Sequence, residues 1–178
     1  AAGTMHVLAL KADGSLWAWG RNWFGQLGDG SDSDSATPVQ VGTGYTAMAA
    51  GFAHSLALKA DGSLWAWGLN NDGQVGDGSN AWRTSPVQVD VGYTAIAAGQ
   101  DHSLGLKTDG GLWVWGSSYY GQLGDGSTTR RNRPVQVDIG YREVAAGNYH
   151  SLALKADGSL WAWGHNALGQ LGDGSTTQ

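Results

Sequence analysis

Histidine has the widest chemical range of the side chains in this sequence, and it recurs at a fixed interval. His6, His54, His102 and His150 stand 48 residues apart. Neutral imidazole binds transition metals and also serves as a general base. Metal ligands, however, must converge to about 2.1 Å from a single ion, and one histidine per 48-residue unit spreads these four apart. We therefore predict that each ring hydrogen-bonds within its own unit, where it fixes a turn, and we predict no metal site from this pattern.

Two short segments could be taken for ion sites. Asp29, Asp32 and Asp34 have a spacing that loosely suggests calcium, but the bidentate glutamate of a calcium hand is missing. The glycine-rich run 25–30 lacks the Lys-Ser/Thr pair of a phosphate loop and precedes no helical pattern. Turn formation is the favoured interpretation of both segments, with calcium as the alternative for the first, and we predict no cofactor.

Composition argues against several functional classes. The formal charge of −5 does not suit a protein whose main task is to bind nucleic acid. Cysteine is absent, Glu143 is the single glutamate, and the aspartates fall mostly in Asp-Gly turns. No nucleophile elbow and no apolar run of about 18 residues occurs. We therefore predict that the chain has no enzymatic activity and no membrane span.

The elements that must position these residues form an internal repeat. The 48-residue period divides the chain into a single repeat domain, 1–178, with units 1–48, 49–96, 97–144 and an incomplete 145–178. The 30 glycines recur at fixed positions in the unit, which indicates frequent tight turns. A period of this length is typical of architectures in which each unit buries its apolar face against its neighbours.

Each unit reads as four short antiparallel strands. For one blade, whose strand A begins before the boundary at residue 97, we predict strand A at Tyr93–Ala98, B at Ser103–Lys107, C at Leu112–Trp115 and D at Pro134–Asp138. Between B and C the Asp-Gly pair supplies positive φ angles for a hairpin turn. Proline opens each D strand, and a residue without an N–H suits the outer edge of a sheet. Four-stranded sheets repeated around an axis are the blades of a β-propeller.

Paired tryptophans fit the same architecture. The two tryptophans of a pair lie two residues apart in strand C, so both rings project from one face of the sheet. Large rings at equivalent positions in every unit are first a packing requirement between blades, so we interpret them as structural. The pairs are Trp17 and Trp19, Trp65 and Trp67, Trp113 and Trp115, and Trp161 and Trp163.

These motifs resemble the regulator-of-chromosome-condensation repeat family. The second unit reads Gly51-Phe-Ala-His54-Ser55, then Trp65-Ala-Trp67-Gly68, then Leu69-Asn-Asn-Asp-Gly-Gln-Val-Gly76. The resemblance covers the whole chain. It implies a β-propeller, usually seven-bladed, whose members include a nucleotide-exchange factor, an ultraviolet-B receptor and a β-lactamase inhibitor. Of these members, the chain most resembles a prokaryotic one that acts through contacts with other proteins.

Sequence differences between the units gather in two loops. The A–B turn and the segment after strand C vary, whereas the B–C turn is nearly constant. In an up-and-down blade the A–B and C–D connections lie on the same face, and loops on a rigid scaffold commonly carry function. Trp, Tyr and Arg are frequent interface anchors. The aromatic residues on this predicted protein-binding face are Trp23, Phe24, Phe52, Trp82, Tyr119, Tyr120 and Tyr149.

Two alternatives accompany the protein-binding prediction. Near-identical units favour self-assembly, because blades of different chains can substitute for one another. The last unit stops before a D strand, so we expect a second copy to cover its exposed edges and favour a homodimer. Carbohydrate binding by the exposed aromatic residues is the other alternative. Arg130, Arg131 and Arg133 occupy the loop that holds Asp32 and Asp34 in the first unit, and their charge is opposite. This difference could steer association between copies of the chain. The sequence indicates no compartment.

Overall fold

The computed structural model describes residues 1–177, and all of its regular secondary structure is β. Fourteen strands form four antiparallel sheets. No helix that could cross a bilayer occurs in these residues. The first sheet contains, in spatial order, β1 (His6–Leu10), β2 (Leu16–Gly20) and β3 (Ser35–Gly42). The second contains β4 (Tyr45–Ala50), β5 (His54–Lys59), β6 (Leu64–Gly68) and β7 (Arg83–Asp90). The third sheet contains β8 (Tyr93–Ala98), β9 (His102–Lys107), β10 (Leu112–Gly116) and β11 (Arg131–Asp138). The fourth contains β12 (Tyr141–Ala146), β13 (His150–Lys155) and β14 (Leu160–Gly164).

The prediction of an all-β fold built from repeated antiparallel sheets is confirmed. The two middle sheets have four strands each in the order A-B-C-D, with D at the outer edge. The first sheet has three strands, because before β1 only Ala2 makes a bridge, to Val7. The fourth sheet also has three strands within residues 1–177. The division into units starting at residues 1, 49, 97 and 145 stays a prediction.

Strand D begins earlier than predicted. In the third sheet it starts at Arg131, and Pro134 lies inside it rather than opening it. The register against β10 shifts between the pairs Gly116–Arg131 and Val114–Val135, and the proline falls in that irregular stretch. An outer strand has one side free of sheet hydrogen bonds, so a residue without an N–H is tolerated there.

The B–C turn depends on glycine and on a carboxylate, not on two positive φ angles. Gly62 has φ +77°, and no residue other than glycine has positive φ in the described chain. Asp61 instead accepts hydrogen bonds from the backbone N–H (2.9 Å) and the hydroxyl (2.6 Å) of Ser63. The Ser63 hydroxyl oxygen accepts one from Trp65 Nε1 at 3.0 Å. Gly111 replaces this serine in the third sheet, and there the buried Trp113 Nε1 has no partner.

The hydrophobic core lies between the sheets. Three clusters of buried side chains occur in the described residues, one at each junction of successive sheets. At the junction of the second and third sheets, Leu56, Leu64 and Val75 pack against Tyr93 and Trp115. The face of each sheet that carries the leucines therefore meets the face of the next sheet that carries the tryptophans. None of the three clusters joins the fourth sheet to the first.

Strands A line a central axis. The turns that follow them, among them Gly51–Phe52 and Gly99–Gln100, surround a cavity of about 260 Å³. Backbone hydrogen bonds link successive turns around it, for example from Phe52 N to Gln100 O (3.3 Å) and from Gln100 N to Asn148 O (3.0 Å). Small residues are required here because the backbones of neighbouring sheets approach closely.

Candidate functional site

The A–B turn is held by a close contact between glycine and histidine. Gly51 N–H donates to the His54 carbonyl at 2.9 Å, which closes the turn. A Cβ placed on Gly51 would collide with the His54 ring and lie 2.5 Å from the carbonyl oxygen of Gly99 in the next sheet. Only glycine fits at this point, which explains why Gly-x-x-His recurs in the sequence.

His6, His54 and His102 each bond to the next sheet, so for these three the prediction of a partner within their own unit is wrong. His54 Nε2 lies 3.0 Å from Ser103 Oγ. Ser103 donates its hydroxyl proton to the Gln74 carbonyl at 2.9 Å, and Trp115 Nε1 donates to the same oxygen, also at 2.9 Å. The other two junctions repeat this arrangement with His6, Ser55, Gln26 and Trp67, and with His102, Ser151, Gln122 and Trp163. We call these four groups the junction network.

The junction network fixes the tautomer and the charge of the histidines. Since the serine donates its only proton to a carbonyl, His54 Nε2 must carry a hydrogen and Nδ1 must be a bare nitrogen. That Nδ1 is buried and has no hydrogen-bond partner in the part of the chain described. Burial, with smaller effects from His6 and His102, lowers the pKa of His54 to about 3. Burial also lowers the pKa of His6 and of His102 to about 4. All three rings are neutral at pH 7.

The two kinds of connection are found at opposite ends of each sheet. Tyr93 N–H, which follows the D–A link, donates to the Gly62 carbonyl in the B–C turn at 3.0 Å. Phe52 of the A–B turn instead lies at the cavity around the axis. We use the name loop face for the end formed by the A–B turns and the C–D loops.

Asparagine and glutamine side chains brace the C–D loops. In the second sheet Asn70 Oδ1 accepts from Val75 N at 2.9 Å, and Asn70 Nδ2 donates to Ala81 O at 3.0 Å. Gln74 Oε1 accepts from Asp72 N at 2.9 Å. Although the loop is long, its own side chains hydrogen-bond to its backbone groups, and these bonds fix its conformation.

One aromatic pair on the loop face spans the first and second sheets. Phe24 packs edge-on against Trp82, with ring centroids 4.9 Å apart. Trp82 Nε1 donates to Asn71 Oδ1 at 2.8 Å, which fixes the indole, yet the residue remains 48% exposed. Two of the predicted binding residues thus form one partly exposed contact surface.

A second aromatic cluster spans the third and fourth sheets. Tyr120 lies with its ring centroid 5.2 Å from that of Tyr149 and 4.7 Å from that of His165. His165 Nδ1 is 2.9 Å from Gln170 Nε2. The sequence prediction named the two tyrosines and missed His165. Its place in the variable segment after strand C was the available signal, because the same position holds Arg21 in the first unit.

The remaining predicted residues lie apart from these clusters. Trp23 is 58% exposed, with the Arg21 guanidinium 3.3 Å from its ring centroid. Tyr119 is 71% exposed and lines a shallow groove with Thr128 and Arg130. Phe52 is half-buried at the central cavity. All of them belong to the loop face, but they do not meet at one point.

Between the second and third sheets the loop face is polar. Arg130 Nη1 donates to the Asn71 carbonyl at 3.1 Å and lies 3.6 Å from Asp72. Gln74 Nε2 donates to Asp101 at 3.1 Å. Burial and the nearby Asp72 charge raise the pKa of Asp101 above its usual value. Arg131 pairs with Asp125 at 2.7 Å, so two of the three arginines of the predicted cluster, Arg130 and Arg131, are engaged in contacts within this chain.

Side chains that could hold a metal do not converge. Across residues 1–177 no group of three or more His, Cys, Asp or Glu side chains has metal-binding geometry. Asp29 accepts from Ser31 N and Ser31 Oγ, both at 2.9 Å, and Asp34 accepts from Asn22 N at 2.7 Å. These two carboxylates therefore stabilise the first C–D loop, as the turn interpretation of this segment expects.

Comparison with known proteins identifies the family. A family model described as RCC1-like domain matches residues 1–178. The chain belongs to the RCC1-like domain family. Human WBSCR16 is similar in structure, with a TM-score of 0.86 and 28% identity over 99% of this chain and 48% of that one. Yeast RCC1 (Prp20), solved bound to Kap60, has a TM-score of 0.85 and 28% identity over 97% and 44% of the two chains.

A shorter match is found with a plant member of the family. The ultraviolet-B receptor UVR8 of Arabidopsis thaliana is 51% identical over 39 residues, which are 22% of this chain and 9% of UVR8. The chain spans less than half the length of these relatives. The family assignment confirms the predicted β-propeller.

Proposed function

We propose that this chain is a non-catalytic propeller scaffold that binds a protein partner through its loop face. The observation that supports the proposal is the pair of aromatic clusters, each shared by two sheets that the junction network fixes. Rings such as Trp82 and Tyr120 carry large apolar area and lose little conformational freedom on binding. Aromatic side chains that a partner covers commonly dominate the energy of protein interfaces.

The relatives give independent support. Yeast Prp20p is described as bound to Kap60 and as binding Gsp1p and histones. Those interactions belong to the yeast protein. Applied to this chain, they favour protein contacts over catalysis.

The test is affinity capture from the source cells with quantitative mass spectrometry, using the wild type, Trp82→Ala and Tyr120→Ala. We expect at least one protein that the wild type retains to fall about tenfold or more with one of these variants. Trp161→Ala is the matched control, because Trp161 is 51% exposed but lies on strand C, away from the loop face. If every captured protein is retained equally by all variants, the loop face is not the binding surface.

Pairing of two chains is a second candidate, favoured by one observation at the ends of the array. Leu160 of the fourth sheet is 68% exposed, whereas its equivalent Leu112 in the third is 1% exposed against the next sheet. At the other end Trp19 is half-buried, whereas its equivalent Trp67 is fully buried. These two faces match those that meet at every internal junction, so head-to-tail contact between two copies would bury both.

Absolute mass by light scattering after size exclusion tests this pairing. We expect a species of about twice 18.5 kDa that Leu160→Glu converts to monomer and that Leu168→Glu, on an exposed loop, does not. Val7 stands where the other units have the junction serine, so Val7→Ser should strengthen pairing by offering His150 a hydroxyl. A monomer at all concentrations in both wild type and Val7→Ser would rule pairing out.

A further inference from the structure

The lysine that ends strand B lies over two aromatic rings in three of the sheets. Lys59 Nζ is 4.4 Å from the ring centroid of Trp65 and 5.2 Å from that of Tyr45. The corresponding distances are 4.4 and 4.9 Å for Lys107, and both are 4.9 Å for Lys155. The three ammonium groups therefore occupy equivalent places, at the end of each sheet that carries the B–C turn.

At the junction of the second and third sheets this ammonium group binds a carboxylate from the preceding sheet. Lys107 Nζ donates to Asp90 Oδ2 at 2.7 Å, and the Tyr93 hydroxyl donates to the same oxygen at 3.2 Å. Asp90 Oδ1 accepts from Val91 N at 2.8 Å. The carboxylate thus receives three donors, which are an ammonium, a phenol and a backbone N–H.

Asp138 receives the same three donors at the junction of the third and fourth sheets. Lys155 Nζ lies 2.9 Å from Oδ2, the Tyr141 hydroxyl donates to Oδ2 at 3.0 Å, and Ile139 N donates to Oδ1 at 2.8 Å. The bond from Lys155 is the largest of the effects that hold the pKa of Asp138 below its usual value. The donor set therefore favours an anionic carboxylate.

At the junction of the first and second sheets the donors recur without the aspartate. The first sheet has Gly42 where the second has Asp90. The Lys59 ammonium, the Tyr45 hydroxyl and the Thr43 N–H remain, and within residues 1–177 none of the three donates a hydrogen bond. A Cβ placed on Gly42 would lie 3.7 Å from the Tyr45 hydroxyl oxygen, so a side chain at this position would meet the donors.

The nearest acidic residue in the sequence, Asp61, does not supply a carboxylate here. It accepts from the N–H and the hydroxyl of Ser63, at 2.9 and 2.6 Å, and no salt bridge to Lys59 occurs in the described residues. Burial raises the pKa of Tyr45, so its hydroxyl keeps its proton at pH 7 and can donate. Thr43 is exposed and Lys59 is half-buried, so a ligand can reach the donors from solvent.

We propose that Lys59, the Tyr45 hydroxyl and the Thr43 N–H form a binding site for the carboxylate group of a ligand. The carboxylate takes the place that Asp90 fills at the next junction. The ammonium supplies the opposite charge, and the two other donors orient the carboxylate oxygens. Both a small free acid and the acidic side chain of another protein carry this group. The site lies at the end of the sheets opposite to the loop face and does not depend on the proposed function.

The test is a titration of the isotope-labelled protein with sodium acetate, followed by NMR at an ionic strength held constant with sodium chloride. We expect a saturable shift of the Thr43 N–H signal. A second titration uses aspartate capped at both ends, whose only carboxylate is its side chain. Tighter binding of this compound than of acetate supports an acidic protein side chain as the ligand, and equal or weaker binding supports a small free acid. No saturable shift with either compound would overturn the proposal.

Two variants of the site should remove the binding. Gly42→Asp places a carboxylate of the protein itself on the donors, so acetate should no longer shift the Thr43 signal. Lys59→Gln should weaken binding about tenfold or more, because a charged hydrogen bond is lost. Lys107→Gln is the matched control, since that ammonium already binds Asp90. Binding that persists in Gly42→Asp, or that falls equally in Lys59→Gln and Lys107→Gln, would contradict the assignment.

A third variant should create the site elsewhere. In Asp90→Gly the donors of the third sheet are released, so acetate should also shift the Val91 N–H signal, which it leaves unchanged in the wild type. A folded Asp90→Gly protein without this second shift would count against the donor set. If Lys59→Gln or Asp90→Gly does not fold, the comparison of the wild type with Gly42→Asp remains decisive, because two other sheets already carry aspartate at this position.

Discussion

The junctions between sheets and the loop face above them are built from the same repeated units. The residues at the junctions are nearly constant from one unit to the next, whereas those on the loop face change. At all three junctions a histidine, a serine, a glutamine carbonyl and a tryptophan meet with nearly the same distances. On the loop face one junction carries Phe24 and Trp82, the next Arg130 and Asp72, and the third Tyr120 and Tyr149. Constant contacts fix the geometry of the array, which leaves the exposed residues free to differ.

Acid should act on the junctions first and most strongly. Because burial depresses the folded-state pKa of His6, His54 and His102, the unfolded chain binds more protons between about pH 6.5 and pH 4, and stability falls as the pH falls. The expected loss is about 1.4 kcal/mol per pH unit for each histidine. Urea denaturation from pH 7 to pH 4.5 measures it. A free energy of unfolding that is constant across this range would contradict the neutral junction network.

Truncating a junction tryptophan should be the most damaging single substitution. Trp115 is fully buried and donates to the Gln74 carbonyl. Trp115→Ala should lower the free energy of unfolding by about 3–5 kcal/mol through the cavity and the lost contacts. Trp23→Ala on the loop face is the control and should cost less than about 1 kcal/mol. Similar losses from the two variants would remove the distinction between junction and loop face.

The junction serine should matter more than its size suggests. Ser103→Ala leaves both His54 Nε2 and the Gln74 carbonyl without their hydroxyl partner. We expect a loss of about 1–3 kcal/mol, measured by thermal or urea unfolding. Ser33 is exposed, and Ser33→Ala should have almost no effect. An equally mild effect of Ser103→Ala would mean that the histidine contact contributes little.

The smallest of the predicted effects on stability is the energetic coupling between aromatic residues on the loop face. A double-mutant cycle with Phe24→Ala and Trp82→Ala should give an interaction energy of about 0.5–1.5 kcal/mol in stability. The same cycle with Phe24 and Tyr119 should give none, since these rings belong to the first and third sheets, which are not neighbours, and make no contact in the described structure. A coupling well above this range would make the aromatic pair part of the stabilising core.

Much of the fold follows from local patterns, and most of the site does not. Strands A, B and C were predictable because alternation and turn residues are local properties. The start of D was missed because Arg131–Arg133 is polar, as an outer strand allows. The serine partner of His54 lies 49 residues further along the chain, so it could be found only by placing one unit against the next. Pairing of Phe24 with Trp82 depends on the same placement and on the shape of two long loops.

The histidine-to-serine contact also gives the array a direction of growth. Each unit offers a histidine forward and a serine backward, except the first, where Val7 stands in place of the serine. A duplicate of residues 49–96 inserted after position 96 would therefore meet compatible partners on both sides. The same duplicate joined ahead of the first unit would leave its histidine facing valine. Array length in this protein can thus be changed from within, one 48-residue module at a time, without designing a new interface.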